Sequence, residues 1–476
     1  MSDGYLAADL GTSAVKVGVV DSDGALVSFA TRSYGLIEGG GPGWVEQDPR
    51  TWLSCTVDAM REAVASARGV TVVGACVGGQ GPSPVPVDEN AEPLANAIIW
   101  MDRRTEPQRR AMSARLGSEA SPYSCVPKVL WWKEQRPEVY AKARWFLQSW
   151  DFVALRLTGE TVASSFADNQ VFPRDLLDAA GLDHSKFPRE IVMGTRTGTI
   201  TPEMARVLGI RAGVPLGGGV NDATATILGA GLVRKGLALD LGGTSGGIAL
   251  AWDRPLRDGG LTAWPAPTPG LFVCGGPFAA AGRALPWAIA ALGYGANEFA
   301  AIERDAAAIP PGANGLVFVP YLAGERTPYW DDRARGMFFG LTERHTRAHL
   351  ARAVFEGVAF GLRHVVDLMR EQGARLDELR TTGGQAKVAL WGRIKADVLA
   401  VPVIVPAVTE GSLMGEAMLA AQVSGRVPDP ASAASDLVKI AARYEPEPAT
   451  KDTYERAYRT YREMYPRLKD LMRGDA

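Results

Sequence analysis

The segment Ala8-Asp9-Leu10-Gly11-Thr12-Ser13 returns in the second half of the chain as Leu239-Asp240-Leu241-Gly242-Gly243-Thr244-Ser245, and this duplication decides the fold. Both copies lie between short apolar runs. Tyr5 to Ala8 and Val15 to Val20 flank the first, and Leu237 to Leu239 and Ile248 to Trp252 flank the second, so each predicts strand, tight turn, strand. After Ser13, Val15, Val17 and Val19 alternate with Lys16 and Gly18, the period of a strand and not of a helix. Neither copy carries a P-loop, nor a Gly-x-Gly-x-x-Gly turn opening a helix. Glycines let backbone amides come close to an anion, and the Thr and Ser hydroxyls add donors. A matched pair of such hairpins predicts two cradles facing one triphosphate, with two plain turns, built from residues that form turns everywhere, as the alternative.

The bulk properties bound the rest. A chain of 476 residues exceeds what one core supports, so two domains are expected, with the boundary near Gly236: residues 1–236 and 237–476. Hydrophobic residues at 46% and charged residues at 22% describe an ordinary globular protein. A net charge of -2, without basic runs, argues against nucleic acid as a partner. Cys55, Cys76, Cys125 and Cys274 form no Cys-x-x-Cys pair, which argues against a zinc ribbon or a dense disulfide framework. With the first strand starting by Tyr5 and no long apolar stretch, neither a signal segment nor a membrane span is expected, and the cytoplasm is the expected compartment. Phe278 to Ile289 predicts a buried, alanine-rich helix.

Between the hairpins, residues 5–30 read as a β meander with a turn at Asp21-Ser22-Asp23-Gly24, and Trp52 to Ala67 carries helical spacing. Val70 to Val77 is a buried strand that empties into Gly78-Gly79-Gln80-Gly81-Pro82-Ser83-Pro84, the kind of strand-end loop where ligands bind. Ala97 to Trp100 predicts a strand ending at Met101-Asp102-Arg103-Arg104, and residues 105–210 read as mostly helical. Val220-Asn221-Asp222 opens a small-residue helix, Ala223 to Ala230. The second half continues with a strand at Gly315 to Tyr321, a helix at Ala348 to Arg370, a strand at Leu379 to Thr382, the turn Gly383-Gly384, and a helix from about Lys387 to Leu399. Strands and helices alternate on both sides, which predicts α/β domains.

In this order the pieces resemble the FGGY family of carbohydrate kinases, within the superfamily of actin, hexokinase and heat-shock-chaperone ATPases. The resemblance covers essentially the whole chain. It rests on Asp9-Leu10-Gly11-Thr12-Ser13, Pro42-Gly43-Trp44-Val45-Glu46-Gln47-Asp48-Pro49, Trp100-Met101-Asp102-Arg103-Arg104, Asn221-Asp222-Ala223, Gly242-Gly243-Thr244-Ser245 and Gly383-Gly384-Gln385-Ala386-Lys387 with Trp391. The block from Pro320 to Pro328 and on through Arg335 to Thr342 looks most like xylulokinases. The fold so implied is two ribonuclease-H-like, actin-like ATPase domains with a cleft between them. The implied activity is transfer of phosphate from ATP, with Mg2+, to a hydroxyl of a small sugar or polyol, a ketopentose such as D-xylulose leading and ribulose, erythritol, glycerol and gluconate as alternatives. An actin-like or chaperone-like ATPase acting on a protein partner is the reading from another class. A homodimer is left open.

Phosphoryl transfer needs alignment of the γ-phosphate with an acceptor and neutralisation of spreading charge. By resemblance, Asp9 would face the metal, Gly11, Thr12, Ser13 and Lys16 would lie near the transferring group, and Gly243 and Thr244 would hold the nucleotide phosphates. Gly282, Gly383 and Gly384 would let adenosine approach the backbone. Local sequence alone reads Asp222 as the cap of a helix; the resemblance makes it the catalytic base, deprotonating the sugar hydroxyl. Asp240 reads as structural. His345 and His349, one helical turn apart, lack the surroundings of a metal motif. Glu325 and Arg326 read as an interdomain or cleft pair. Arg104 is assigned to substrate, with bracing of the Asp102 loop the equal alternative.

Gln80, Gly81 and Pro82 form the expected substrate loop, and here the chain departs from relatives. Xylulokinases carry Gln-Met-His-Gly where this chain has Gln80-Gly81-Pro82-Ser83, and glycerol kinases place an Arg-Glu pair at 81 and 82. The loss of those side chains predicts a roomier pocket. On the nucleotide side, Ala14, Pro286 and Val388 replace polar residues of relatives.

Overall fold

The computed structural model describes residues 2–473 apart from 167, 168, 243–245, 280 and 297. The chain forms two units. The first comprises residues 1–231 and 410–438, and the second 232–409 and 439–476.

The first unit is built on a six-stranded sheet in the spatial order Arg196–Thr199, Pro215–Gly217, Val70–Gly79, Ser2–Leu10, Ala14–Asp21, Leu26–Ser33. Ser2–Leu10 runs antiparallel to Ala14–Asp21, with Asp9 opposite Lys16, and parallel to Val70–Gly79. Its inner residues are buried throughout, as expected of a central strand covered on both faces. Helix Pro49–Ser66 packs mainly against Ala14–Asp21 and Leu26–Ser33. Asp48 caps it by accepting from Arg50 N–H, and Pro49 stands at its first position, where a missing N–H costs nothing.

The second unit repeats the plan on seven strands: Thr262–Pro265, Phe272–Pro277, Gly247–Trp252, Leu237–Asp240, Glu378–Thr381, Val403–Pro406, Ile440–Tyr444. Its central strand Leu237–Asp240 again has an antiparallel hairpin partner, Gly247–Trp252, and a parallel crossover partner, Glu378–Thr381. Removing the edge strand Thr262–Pro265 leaves the same order and the same parallel and antiparallel senses as in the first unit. The duplication seen in thirteen letters is therefore a duplication of architecture.

Three sequence expectations need amendment. A single boundary near Gly236 misses the return of residues 410–438 to the first unit. That return is a packing event: helix Gly411–Val423 crosses helix Asp222–Gly229 so closely that a Cβ on Gly229 would meet Gly411 O and one on Gly415 would meet Ala225 O. The described residues of 105–210 hold six α-helices, but the strands Trp145–Leu147, Ala163–Ser165, Glu190–Val192 and Arg196–Thr199 interleave with them. The alanine-rich helix runs over Ala284–Ala291, later than expected, with Trp287 half out in solvent.

Candidate active site

The first hairpin turn is held from behind. Its backbone oxygens accept from Tyr34 Oη at Gly11 O (2.5 Å), from Gln47 Nε2 at Thr12 O (2.7 Å) and from Tyr34 N at Ser13 O (3.0 Å). With the carbonyls engaged on one side, the Thr12 and Ser13 N–H groups have no hydrogen-bond acceptor among the described residues, and Ser13 is exposed. Trp100, partly exposed, donates its indole N–H to Thr12 Oγ1 at 2.9 Å. The turn thus presents two free amides and a hydroxyl on the side away from Tyr34 and Gln47, with Trp100 beside them, a residue that its motif contained but its spacing did not single out.

Asp9 is the last residue but one of the central strand and is buried. Ser412 Oγ donates to its Oδ2 at 2.6 Å, while Oδ1 is buried without a hydrogen-bond partner among the described residues. Burial pushes the Asp9 carboxyl up, opposed by the Ser412 hydrogen bond and by Lys16. Lys16, across the hairpin, forms a 2.6 Å ion pair with Glu410. Ser412 and Glu410 lie 403 and 394 residues beyond Asp9 and Lys16 respectively, in no local pattern, so nothing in the linear sequence announced either contact.

Asp222 is the first residue of helix Asp222–Gly229, and the helix is capped by its neighbour: Asn221 Oδ1 accepts from Thr224 N–H at 2.9 Å. The capping alternative for Asp222 is thus taken by Asn221. Asp222 itself is partly exposed and, among the described residues, accepts its next-door amide, Ala223 N–H, at 2.8 Å. Burial of the carboxyl, and then repulsion from Asp9, push it up to about 7. A carboxylate perturbed in this way, set beside a second carboxylate, is poised to gain or lose a proton near neutrality.

The loop at Gln80, Gly81 and Pro82, expected to meet the substrate, is packed differently from that expectation. Gln80 is buried, and its Nε2 donates to Gln47 Oε1 at 2.6 Å and to Gly11 O at 3.4 Å. It braces the hairpin turn. Pro82 is also buried, and Gly81 is partly covered. A Cβ on Gly81 would stand 3.0 Å from the Trp150 ring, so the volume vacated by the missing side chain is already filled and the loop is not roomier there. Arg104 is likewise committed to structure: its side chain is 2% exposed, and its guanidinium pairs with Asp102 (2.6 Å) and Glu46 (2.7 Å) and lies 3.7 Å from the Trp44 ring centroid. Bracing, not substrate contact, is the role its geometry supports. Lys128, buried beneath, donates to Ile99 O at 2.8 Å, and desolvation pulls it down to about 8.

In the second unit, Gly243 and Thr244 lie outside the described residues. Asp240 is buried in an ion pair with Lys395, which also donates to Gln385 Oε1 at 2.7 Å. This ties the end of the central strand to the turn after Glu378–Thr381. Gly383 there has φ +66 and ψ -155, a conformation open to glycine, and its N–H donates to Thr409 O at 3.0 Å. A Cβ on Gly384 would meet nothing within 4 Å, so the backbone at this turn is open to a flat ligand. Gly282 sits in the turn leading into helix Ala284–Ala291. Glu325 accepts backbone N–H groups of Ala279 (3.0 Å) and Arg326 (2.7 Å), and burial pushes its carboxyl up to about 7; it fastens a loop of its own unit instead of pairing with the Arg326 side chain. His345 and His349 accept at Nδ1 from the Thr342 and Thr346 N–H groups, as expected of a helix start.

The residues fit a magnesium–nucleotide complex at one point, the bare, buried Oδ1 of Asp9. Among the described residues no group of three or more His, Cys, Asp or Glu side chains could hold a metal ion. A single carboxylate suits a cation whose remaining ligands are phosphate oxygens and water.

The duplicated sheets and hairpin turns define a phosphotransferase on the actin-like ATPase fold. The N-terminal domain of the FGGY family of carbohydrate kinases matches residues 4–229 and the C-terminal domain residues 241–423. The chain belongs to this FGGY family of carbohydrate kinases, and it is a sugar kinase, a phosphotransferase with an alcohol acceptor. It is 31% identical over 486 residues to a xylulose kinase of Bacillus subtilis, covering 97% of each chain, and 28% identical to a gluconokinase of Bacillus licheniformis, covering 82% of this chain and 80% of the other. Among solved structures, the xylulose kinase of Rhodospirillum rubrum superposes with a TM-score of 0.83 at 29% identity, covering 99% of this chain and 100% of the other.

Proposed function

We propose that the protein phosphorylates a ketopentose, D-xylulose first among candidates, using Mg-ATP, with Asp222 as the base. The observation that carries this reading is the state of Asp222: partly exposed, relieved of capping by Asn221, and pushed up to about 7. Full-length similarity to xylulose kinases supports the choice of sugar.

In this reading Asp222 orients the acceptor hydroxyl and takes its proton as the oxygen attacks the γ-phosphorus. The Thr12 and Ser13 N–H groups and Ser13 Oγ receive phosphate oxygens, and Lys16 exchanges Glu410 for phosphate charge. Magnesium, when bound, neutralises charge on the phosphates, and Asp9 faces it through Oδ1. Gly282, Gly383 and Gly384, together with Gly243 and Thr244, receive the nucleotide. The exposed Trp100 ring beside Thr12 offers an apolar wall to the C–H face of a sugar. Gln80 and Arg104 act behind this surface, the first on the hairpin and the second on the Asp102 loop. All four cysteines are free thiols, which supports a reducing, cytoplasmic setting, and no helix among the described residues is long and apolar enough to cross a membrane.

The test is a panel of D-xylulose, D-ribulose, erythritol, glycerol and gluconate with ATP and magnesium, read as ADP release and as mass of the product. D-xylulose should give the highest kcat/KM, and ADP release without sugar should be much slower. A gluconate optimum would correct the substrate while leaving the base in place; equal ADP release with and without every sugar would overturn the kinase reading.

A further inference from the structure

Helix Gly411–Val423 belongs to the first unit although the chain reaches it only after building most of the second. Its start meets both members of the Asp9–Lys16 pair beside the turn of the first hairpin. Ser412 Oγ donates to Asp9 Oδ2 at 2.6 Å, and Glu410, the residue before the helix, pairs with Lys16 at 2.6 Å. Ser412 is itself buried, so this hydroxyl is not a surface accident. One turn further on, Glu416 fills the space beside Gly78, where a Cβ would collide with its Oε1, and the helix is thereby locked against strand Val70–Gly79.

We propose that Ser412 is a positioning residue for phosphoryl transfer: it commits Oδ2 of Asp9 to the protein and thereby presents Oδ1 to the cation carried by the nucleotide phosphates. Three observations converge on this. A carboxylate has two equivalent oxygens and rotates freely unless one is held; here one is held by a short hydrogen bond to an anchored helix. The other is buried with no hydrogen-bond partner among the described residues, a state that buried acceptors rarely keep unless a ligand or water completes them. The donor comes from the first turn of a thirteen-residue helix, the end whose dipole favours a negative charge, so the carboxylate is steadied by the same element that orients it. The proposal deepens the reading of Asp9 as the cation-facing group and rests on it.

The experiment compares Ser412→Ala, Ser412→Thr and Asp9→Asn with the wild type. ADP binding is measured by calorimetry with magnesium and with a chelator, beside the magnesium dependence of kcat and the KM for sugar. Hydrogen bonds to charged groups are strong enough that Ser412→Ala should weaken Mg-ADP binding roughly tenfold or more. Binding of ADP in chelator and the KM for sugar should stay unchanged, and Ser412→Thr, which keeps the hydroxyl, should restore the wild-type value. Equal loss of ADP affinity with and without magnesium, or no loss at all while Asp9→Asn shifts the magnesium dependence, would overturn the role of Ser412. A wild-type magnesium dependence in Asp9→Asn would instead overturn the reading of Asp9. Should Ser412→Ala fold poorly, Ser412→Cys, similar in size and a weak donor, carries the same comparison.

Discussion

Lys395 and Asp240 form an ion pair in which both side chains are 1% exposed. Asp240 occupies in the second hairpin the place that Asp9 occupies in the first, yet its charge is spent on a lysine of its own unit. The two aspartates look alike in sequence and differ in what remains bare.

Breaking this pair should therefore damage stability before chemistry. Lys395→Met leaves a buried, unpaired carboxylate and should cost about 3–5 kcal/mol by urea unfolding. The double variant Asp240→Leu/Lys395→Met should recover most of that loss. Sugar affinity by calorimetry should remain at the wild-type value in every variant that folds; a sugar-binding defect in the double variant would show that Asp240 does more than hold its turn.

Glu416 offers a stability test with a definite sign. Burial, with Asp9 and Asp222 adding repulsion, holds its carboxyl well above the ordinary 4.5. A group raised in the folded state contributes stability that is complete below its unfolded value and is lost as the pH climbs towards the folded one. The wild type should lose stability between pH 4.5 and neutrality and above, and Glu416→Gln, which cannot ionise, should lose less. Urea midpoints of the two proteins at acid and alkaline pH read the difference directly, and parallel curves would contradict it.

At the substrate loop, inserting the xylulokinase letters should fail. Gly81→Met/Pro82→His drives a side chain against Trp150, whose ring already stands 3.0 Å from the position of a Cβ, and overpacking of this kind costs about 1–3 kcal/mol. Melting temperature and kcat/KM for D-xylulose should both fall, and Trp150→Leu in the same background should restore part of each. A gain in D-xylulose use by the double variant alone would show that the Trp150 side chain moves aside freely.

The legible part of this protein was local. The strand Ala14–Asp21 followed from its alternating valines, Ser2–Leu10 from the short apolar run Tyr5 to Ala8 before the turn, and the helix at Arg347–Glu371 from its apolar stripe, because each pattern is written within a few residues. Asp9 and Asp222 were reachable by motif. Ser412, Glu410 and Glu416 were not, since their partners lie in strands made some 340 to 403 residues earlier and no local periodicity records such a meeting. Arg104 and Gln80 were placed in the right loops, but their roles turned on Glu46, Trp44 and Gln47 closing around them, which only packing reveals.

The central claim is that Asp222 is the base, and turnover and binding in Asp222→Asn test it most directly. The amide keeps the size of the side chain and cannot take a proton, so calorimetry should find sugar and Mg-ATP binding near wild-type while kcat falls roughly 10²- to 10⁴-fold. In the wild type, kcat/KM for the sugar should rise with pH through about 7 and then level, because the carboxyl must be ionised to act; that limb should be missing from the residual activity of the variant. Near-normal turnover in Asp222→Asn, with the same rise towards pH 7, would contradict the account and assign the proton to another group.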